Sequence, residues 1–271
     1  MPAPGPFRAD QIKEGSPYEL SDGHPVLCMP ASRRGGVSNL LGGGVVGTDP
    51  AVKAAGVDIG FSPDPSHLRA PDVAVGNFAI EPGWAPEAPP LALEYADTGQ
   101  DEGELQQKIA ELLAAGTKYI WVVRLRGPRR VEVHEKGRPM RLARPGEDLT
   151  APGILKNPVP VLALFDQTAA YKVTLRNLLQ REGYESLEAV RDEGKLEGKL
   201  EGKLEGKLEG QQGALFAVLS ARGLEVSKVD RATIMAAEDA KVVERWIIQA
   251  ATASSIAEVL TPPKQARRPK R

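Results

Sequence analysis

Between residues 71 and 123 the chain alternates short apolar runs with one amphipathic stretch, in a fixed order. Pro71-Asp72-Val73-Ala74-Val75 and Pro90-Leu91-Ala92-Leu93-Glu94-Tyr95 carry the period of two that marks a strand. Residues 101–115 switch to helical spacing: Leu105, Ile109, Leu112 and Leu113 form an i, i+4, i+7, i+8 stripe. Asp101 is placed to cap that helix, with Glu104 at capping-box distance, and Gly116 is placed to end it. Tyr119-Ile120-Trp121-Val122-Val123 is almost continuously apolar, as in a strand covered on both faces. The pattern predicts an α/β (α+β) domain, a sheet flanked by helices.

The flanking stretches extend it. Tyr18-Glu19-Leu20 and Pro25-Val26-Leu27-Cys28-Met29 surround an Asp22-Gly23 turn, a hairpin signal. Residues 35–47 read as a glycine-weakened helix with Val37, Leu40 and Leu41 toward the sheet. Gly42, Gly44 and Gly47 match G-x-G-x-x-G, but no strand precedes them, so a nucleotide fingerprint lacks its context. Val57 to Phe61 and Val131 to His134 alternate like strands, and Val161 to Phe165 is a candidate last strand.

From Thr168 the pattern turns helical. The expected organisation is a first domain over 1–166, a helical connector over 167–192, an Glu-Gly-Lys-Leu repeat over 193–210, a small helical module over 211–261 and a basic disordered tail over 262–271. In the repeat, Leu196, Leu200, Leu204 and Leu208 form a stripe that winds about 40° per repeat. Glu and Lys two apart do not face each other, and each glycine costs roughly 1 kcal/mol against alanine. A partnered helix and a solvated tether are both open readings. In the module, Leu215, Val218 and Leu219, then Val242, Val243, Trp246, Ile247 and Ile248, then Ile256, Val259 and Leu260 mark successive helices.

Three charged side chains stand out against the apolar strands. Asp72 shares a strand face with Ala74, and Glu94 shares one with Ala92, so each acid has only a small neighbour beside it. A carboxylate in an apolar strand needs a cation, donors or solvent. A hard divalent ion held by one or two carboxylates plus waters meets that need. Lys108 lies beside the Leu105–Leu112 stripe, so its stem can follow the sheet while its ammonium reaches the acids. Glu19 either reaches the metal site from the hairpin, as a further ligand, or is an exposed strand glutamate.

Composition narrows the classes. The 271 residues hold 35 Lys+Arg and 36 Asp+Glu, a formal net charge of −1, so no global basic field points to nucleic acid. One cysteine, Cys28, excludes an internal disulfide and fits a reducing, cytoplasmic compartment. The three histidines lack zinc-ligand spacing, no G-x-S-x-G occurs, and no apolar run approaches membrane-spanning length.

In this order and spacing the motifs resemble the Uma-type (Uma-two) family of restriction endonucleases, within the PD-(D/E)XK phosphodiesterase superfamily. The residues carrying the resemblance are Pro71-Asp72, Glu94, Lys108, Ala115-Gly116 with Tyr119-Ile120-Trp121, and upstream Tyr18-Glu19-Leu20-Ser21-Asp22-Gly23. It covers roughly the first two thirds of the chain. It implies a restriction-endonuclease-like mixed sheet and Mg²⁺-dependent cleavage of DNA, with Mn²⁺ able to substitute. By resemblance, Asp72, Glu94 and the Tyr95 carbonyl hold the ion, and Lys108 replaces the lysine that the superfamily carries two residues after the Glu, where this chain has Ala96. Apart from the resemblance, the Leu196–Leu208 stripe gives the expectation of a homo-oligomer (a dimer), with the C-terminal helices open to a protein partner. Tyr95-Ala96-Asp97 departs from the family's Val-x-Ser, which fits a second reading: a catalytically silent nuclease-fold scaffold.

Overall fold

The computed structural model describes residues 5–76, 78–99 and 101–261. The chain divides into two compact units, residues 1–187 and 188–271. The expected basic tail over 262–271 lies outside the described residues.

The first unit is an α+β layer built on a six-stranded mixed sheet. Its strands are β3 (Ala54–Gly56), β4 (Val73–Gly76), β5 (Leu91–Ala96), β6 (Tyr119–Arg124), β7 (Arg130–Glu135) and β8 (Arg141–Ala143), in that spatial order. Only β5 and β6 run parallel; every other neighbouring pair is antiparallel. A parallel pair needs a crossover, and the helix α2 (Glu102–Ala115) supplies it. Asp101 accepts the Glu104 N–H at 3.1 Å, and Gly116 closes α2 with φ +118°. Outside this sheet, β1 (Tyr18–Ser21) and β2 (His24–Leu27) form the N-terminal hairpin, with Asp22 and Gly23 both at positive φ.

The two sheet faces have separate cores. Leu105, Ile109 and Leu112 of α2 pack on Ala92, Ala96, Ile120 and Val122. The opposite face, including Leu91, Leu93, Tyr95, Trp121 and Val123, packs on Val45 and Val46 of α1 (Arg33–Gly47) and on Ala170 and Val173 of α3 (Gln167–Arg181). Alternation along β5 therefore sends its odd residues to one core and Ala92, Glu94 and Ala96 toward α2.

Three local expectations are corrected. α1 turns Gly35, Ser38, Asn39 and Gly42 inward and leaves Val37 and Leu40 exposed. Close approach is the reason: a Cβ at Gly42 would overlap the Tyr95 hydroxyl oxygen, and one at Gly47 would lie 3.2 Å from the Ala55 Cβ. The helix must present its small face to reach the sheet. Val57 to Phe61 is not a strand, because Asp58 takes φ +53° and breaks the extended run after β3. Val161–Leu164 is a 3₁₀ turn capped by Pro160, which follows the two-residue β10 (Val159–Pro160) paired with β9 (Asp148–Leu149).

The second unit contains α4 (Leu187–Ala221), α5 (Lys228–Met235), α6 (Ala240–Ala250) and α7 (Ile256–Val259). Leu215, Leu219, Ile234, Val243, Trp246, Ala250 and Val259 form its core. Arg222 closes α6 by donating from Nη1 to the carbonyls of Ala250 and Ala251 at 3.0 and 2.6 Å. The Glu-Gly-Lys-Leu repeat is helical throughout, within α4. Its downstream end is anchored in this core, and an anchored end removes the nucleation cost that makes an isolated helix marginal. Leu208 turns toward the core, whereas Leu196, Leu200 and Leu204 are 60%, 54% and 67% exposed. Among the described residues no helix is long and apolar enough to cross a membrane.

The glycines of the two units respond differently to a methyl group. Gly42→Ala is expected to destabilise the first unit by about 1–3 kcal/mol, since the Tyr95 ring has packed neighbours and cannot withdraw freely. Gly202, with nothing near its missing Cβ, is expected to gain up to about 1 kcal/mol of helix stability as alanine. Chemical denaturation of the two variants checks both signs.

Candidate active site

The ladder between β4 and β5 sets the geometry. Val73 pairs with Leu93 and Val75 with Leu91, so the register carried one step further puts Asp72 opposite Glu94. Asp72 lies one residue before β4 rather than within it. There its carboxylate turns onto the backbone of the neighbouring strand: Oδ2 accepts the Tyr95 N–H at 2.6 Å, and Oδ1 accepts from Asn39 Nδ2 at 3.2 Å. One further step sets Pro71 opposite Tyr95, and proline has no N–H to return to the Tyr95 carbonyl. Pairing stops where the acids begin.

Glu94 is 6% exposed, in the middle of β5 and on the side that faces α2. α2 packs there through Leu105 and Leu112, and this seats Lys108 over the carboxylate. Its Nζ lies 3.0 Å from Glu94 Oε1 and 3.2 Å from Glu19 Oε1, and donates to the Ala70 carbonyl at 2.7 Å. The contact with Glu94 is an ion pair without hydrogen-bond alignment, so the buried Oε1 has no aligned donor.

Glu19, on β1, is 5% exposed, which removes the reading of an exposed strand glutamate. Its second oxygen, Oε2, lies 3.1 Å from Nη1 of the buried Arg69. Arg69 in turn donates through Nε to Glu111 of α2, and Glu111 also accepts from Ser21 Oγ and from Gln107. A buried chain of alternating acidic and basic side chains therefore runs from Glu94 through Lys108, Glu19 and Arg69 to Glu111.

The electrostatics follow from burial and these neighbours. Burial pushes the Glu94 carboxyl up to about 8: desolvation outweighs the Lys108 charge, and Asp72 and Glu19 add repulsion. For Glu19 the balance reverses; burial opposes ionisation, but Lys108 and Arg69 hold its pKa below the ordinary value. Lys108 stays well above the usual lysine range, because Glu94, Glu19 and Asp72 overcome its desolvation. Asp58 is raised by partial burial and then by the Asp72 charge.

The cleft is acidic. Glu19, Asp58, Asp72, Glu94, Asp97, Asp101 and Glu104 line it, against the cations Arg69 and Lys108. Sequence reasoning names Asp72, Glu94, Lys108 and Glu19, and all four side chains line this one cleft. It misses Asn39, Asp58 and Arg69. Arg69 sits in a proline-rich loop, and Asn39 hides among glycines; neither position carries an apolar period that would mark it.

Ala96, where the superfamily's lysine would stand, is buried beneath α2 with Leu105 and Ile109. Its ladder partner Arg124 is engaged by Glu102 and Glu132 at 2.7 and 2.8 Å. Among the described residues no group of three or more His, Cys, Asp and Glu side chains is gathered closely enough to hold an ion alone. Two opposed carboxylates, one with an unaligned buried oxygen, do fit a hard cation that takes its remaining ligands from water and phosphate.

This stretch is also where the chain resembles known proteins. Residues 7–159 match the Uma2 family model, described as "Putative restriction endonuclease". That is more than half of the chain, and the protein belongs to the Uma2 family. Among solved structures, a "putative nuclease belonging to DUF820" from Anabaena variabilis is 17% identical with a TM-score of 0.49, the match covering 61% of this chain and 99% of that one. No curated protein matches the chain.

The raised Glu94 carboxyl gives a signed pH dependence. Its pKa moves from 4.5 to about 8 on folding, so the folded state holds the proton more tightly. The linked stability is complete below about pH 4.5 and is lost as pH rises toward 8. In EDTA, Glu94→Gln is expected to flatten this part of the stability–pH curve, measured by denaturation at several pH values. A slope equal to that of the unmodified protein would show that Glu94 ionises normally.

Proposed function

We propose that the protein is a metal-dependent endonuclease that hydrolyses DNA phosphodiester bonds at this cleft. The observation that supports it most is the convergence of Glu94 and Lys108 opposite Asp72, within the stretch that matches the family. Asp72 and Glu94 would hold Mg²⁺, or Mn²⁺ in its place, and the Tyr95 carbonyl, freed from the ladder by Pro71, would add a backbone ligand. The ion, when bound, would polarise a phosphoryl oxygen and acidify a coordinated water.

The chain's own residues do the rest. Tyr95 N–H and Asn39 Nδ2 fix the Asp72 carboxylate on the wall of the cleft. Lys108 brings an obligate positive charge to the reacting phosphate and stabilises the charge that develops there. The acidic wall repels a polyanion in the absence of added cations, so occupation of the site and approach of DNA are coupled. The single exposed cysteine, Cys28, suits a reducing cytoplasm.

Glu94→Gln and Lys108→Met are each expected to lower Mg²⁺-dependent plasmid cleavage by about 10²-fold or more, the scale of losing a charge-stabilising group. Lys108→Met should do so without losing Mn²⁺ binding, because the lysine acts on phosphate and water rather than on the ion. Unimpaired cleavage by either variant would overturn the reading.

A second reading, a silent nuclease-fold scaffold that self-associates, is favoured by one observation: the exposed Leu196, Leu200 and Leu204 on α4. The leucine ridge is flanked by a lysine ridge on one side and a glutamate ridge on the other. In a parallel pair of helices each lysine ridge would face the partner's glutamates, whereas an antiparallel pair would set like charges together. On this reading a dimer forms through α4, and Leu200→Glu with Leu204→Glu lowers the mass measured by light scattering. An unchanged mass would leave the ridge without a self-association role.

A further inference from the structure

Glu19 is the acid whose part in the cleft the family reading leaves open. Both of its oxygens are already engaged by cations: Oε2 by Arg69 at 3.1 Å and Oε1 by Lys108 at 3.2 Å. Arg69 is itself buried and tied to Glu111, so the Glu19 carboxylate is fixed from behind. Lys108 lies between two carboxyl groups at almost equal distance, 3.0 Å to Glu94 and 3.2 Å to Glu19, while it donates to the Ala70 carbonyl.

A divalent ion bound to the Glu94 carboxylate would repel the ammonium that rests 3.0 Å from its Oε1. An ammonium loosened from Glu94 in a desolvated cleft needs another anion at once. Glu19 stands at that position, already oriented and already in contact.

We propose that Glu19, held by Arg69, is a positioning residue rather than a metal ligand. It receives the Lys108 ammonium when a divalent ion takes Glu94, and so keeps the charge beside the reacting phosphate. Metal-free, Lys108 lies between the Glu94 and Glu19 carboxyl groups. Metal-bound, it belongs to Glu19 and Ala70. The inference rests on the reading of Asp72 and Glu94 as the metal carboxylates.

The test is a double-mutant cycle on Mn²⁺ affinity, read by calorimetry on the full chain: the unmodified protein, Glu19→Gln, Lys108→Met and the double variant. If Glu19 serves the displaced lysine, Glu19→Gln weakens Mn²⁺ binding about tenfold more when Lys108 is present than when it is methionine, a coupling within the range of contacting charged residues. If Glu19 is a ligand, it weakens binding equally in both backgrounds, and the proposal falls.

A second measurement needs no variant of the buried Glu19. In ¹⁵N-lysine NMR of the unmodified protein, Mg²⁺ should shift the Lys108 ammonium signal while its protons stay protected from exchange. Loss of that protection on Mg²⁺ addition would mean the ammonium leaves for solvent and would overturn the proposal. Absence of any Mn²⁺ binding by the unmodified protein would instead bring down the metal-site reading beneath it.

Discussion

A carboxylate buried in an apolar strand under a helix is the constraint on which this unit depends. Glu94 shares its strand face with Ala92 and Ala96 beneath α2, and its ionised form is tolerable only beside a cation. That requirement fixes the seat of α2, since Lys108 reaches Glu94 only when Leu105, Ile109 and Leu112 are packed on the sheet. It also explains why the hairpin and the loop before β4 are drawn in. One ammonium against two carboxylates leaves excess negative charge, and Arg69 supplies the second cation that lets Glu19 stay ionised. Stability and chemistry are in tension here, as is usual where charges are held ready for a ligand.

Most of the sheet was legible because its periods are clean. Strict alternation in β5 assigns Leu91, Leu93 and Tyr95 to one face and Ala92, Glu94 and Ala96 to the other, and the two cores follow that division. The cap at Asp101 and the left-handed Gly116 follow from local chemistry alone, so α2 was readable to within a residue of each end. With the faces and the helix known, the meeting of Lys108 and Glu94 is a short step.

What could not be read depends on contacts distant in sequence. Up to Gly42 the inward face of α1 is small rather than apolar because the Tyr95 hydroxyl waits there, and only Val45 and Val46 beyond it are apolar, a division that no periodicity in residues 33–47 reveals. Asn39 matters through Asp72, and Arg69 through Glu19 on a hairpin about fifty residues upstream. Val57 to Phe61 alternates convincingly, yet the left-handed Asp58 turns the chain out of the sheet. In the repeat, pairing and propensity both argued weakly against a helix, and the anchored core beyond it decided the matter.

The proline at position 71 has a topological meaning beyond its missing donor. A sheet in which every residue can pair tends to close like a zip until something jams it, and here the jam is an imide nitrogen. The last tooth fixes where the mouth of the cleft opens, so the position of the site is written into the main chain before any acid is placed in it. A residue with an N–H at 71 would let the zip advance by one pair, take up the Tyr95 carbonyl and draw the strands together at the point where Asp72 now turns aside.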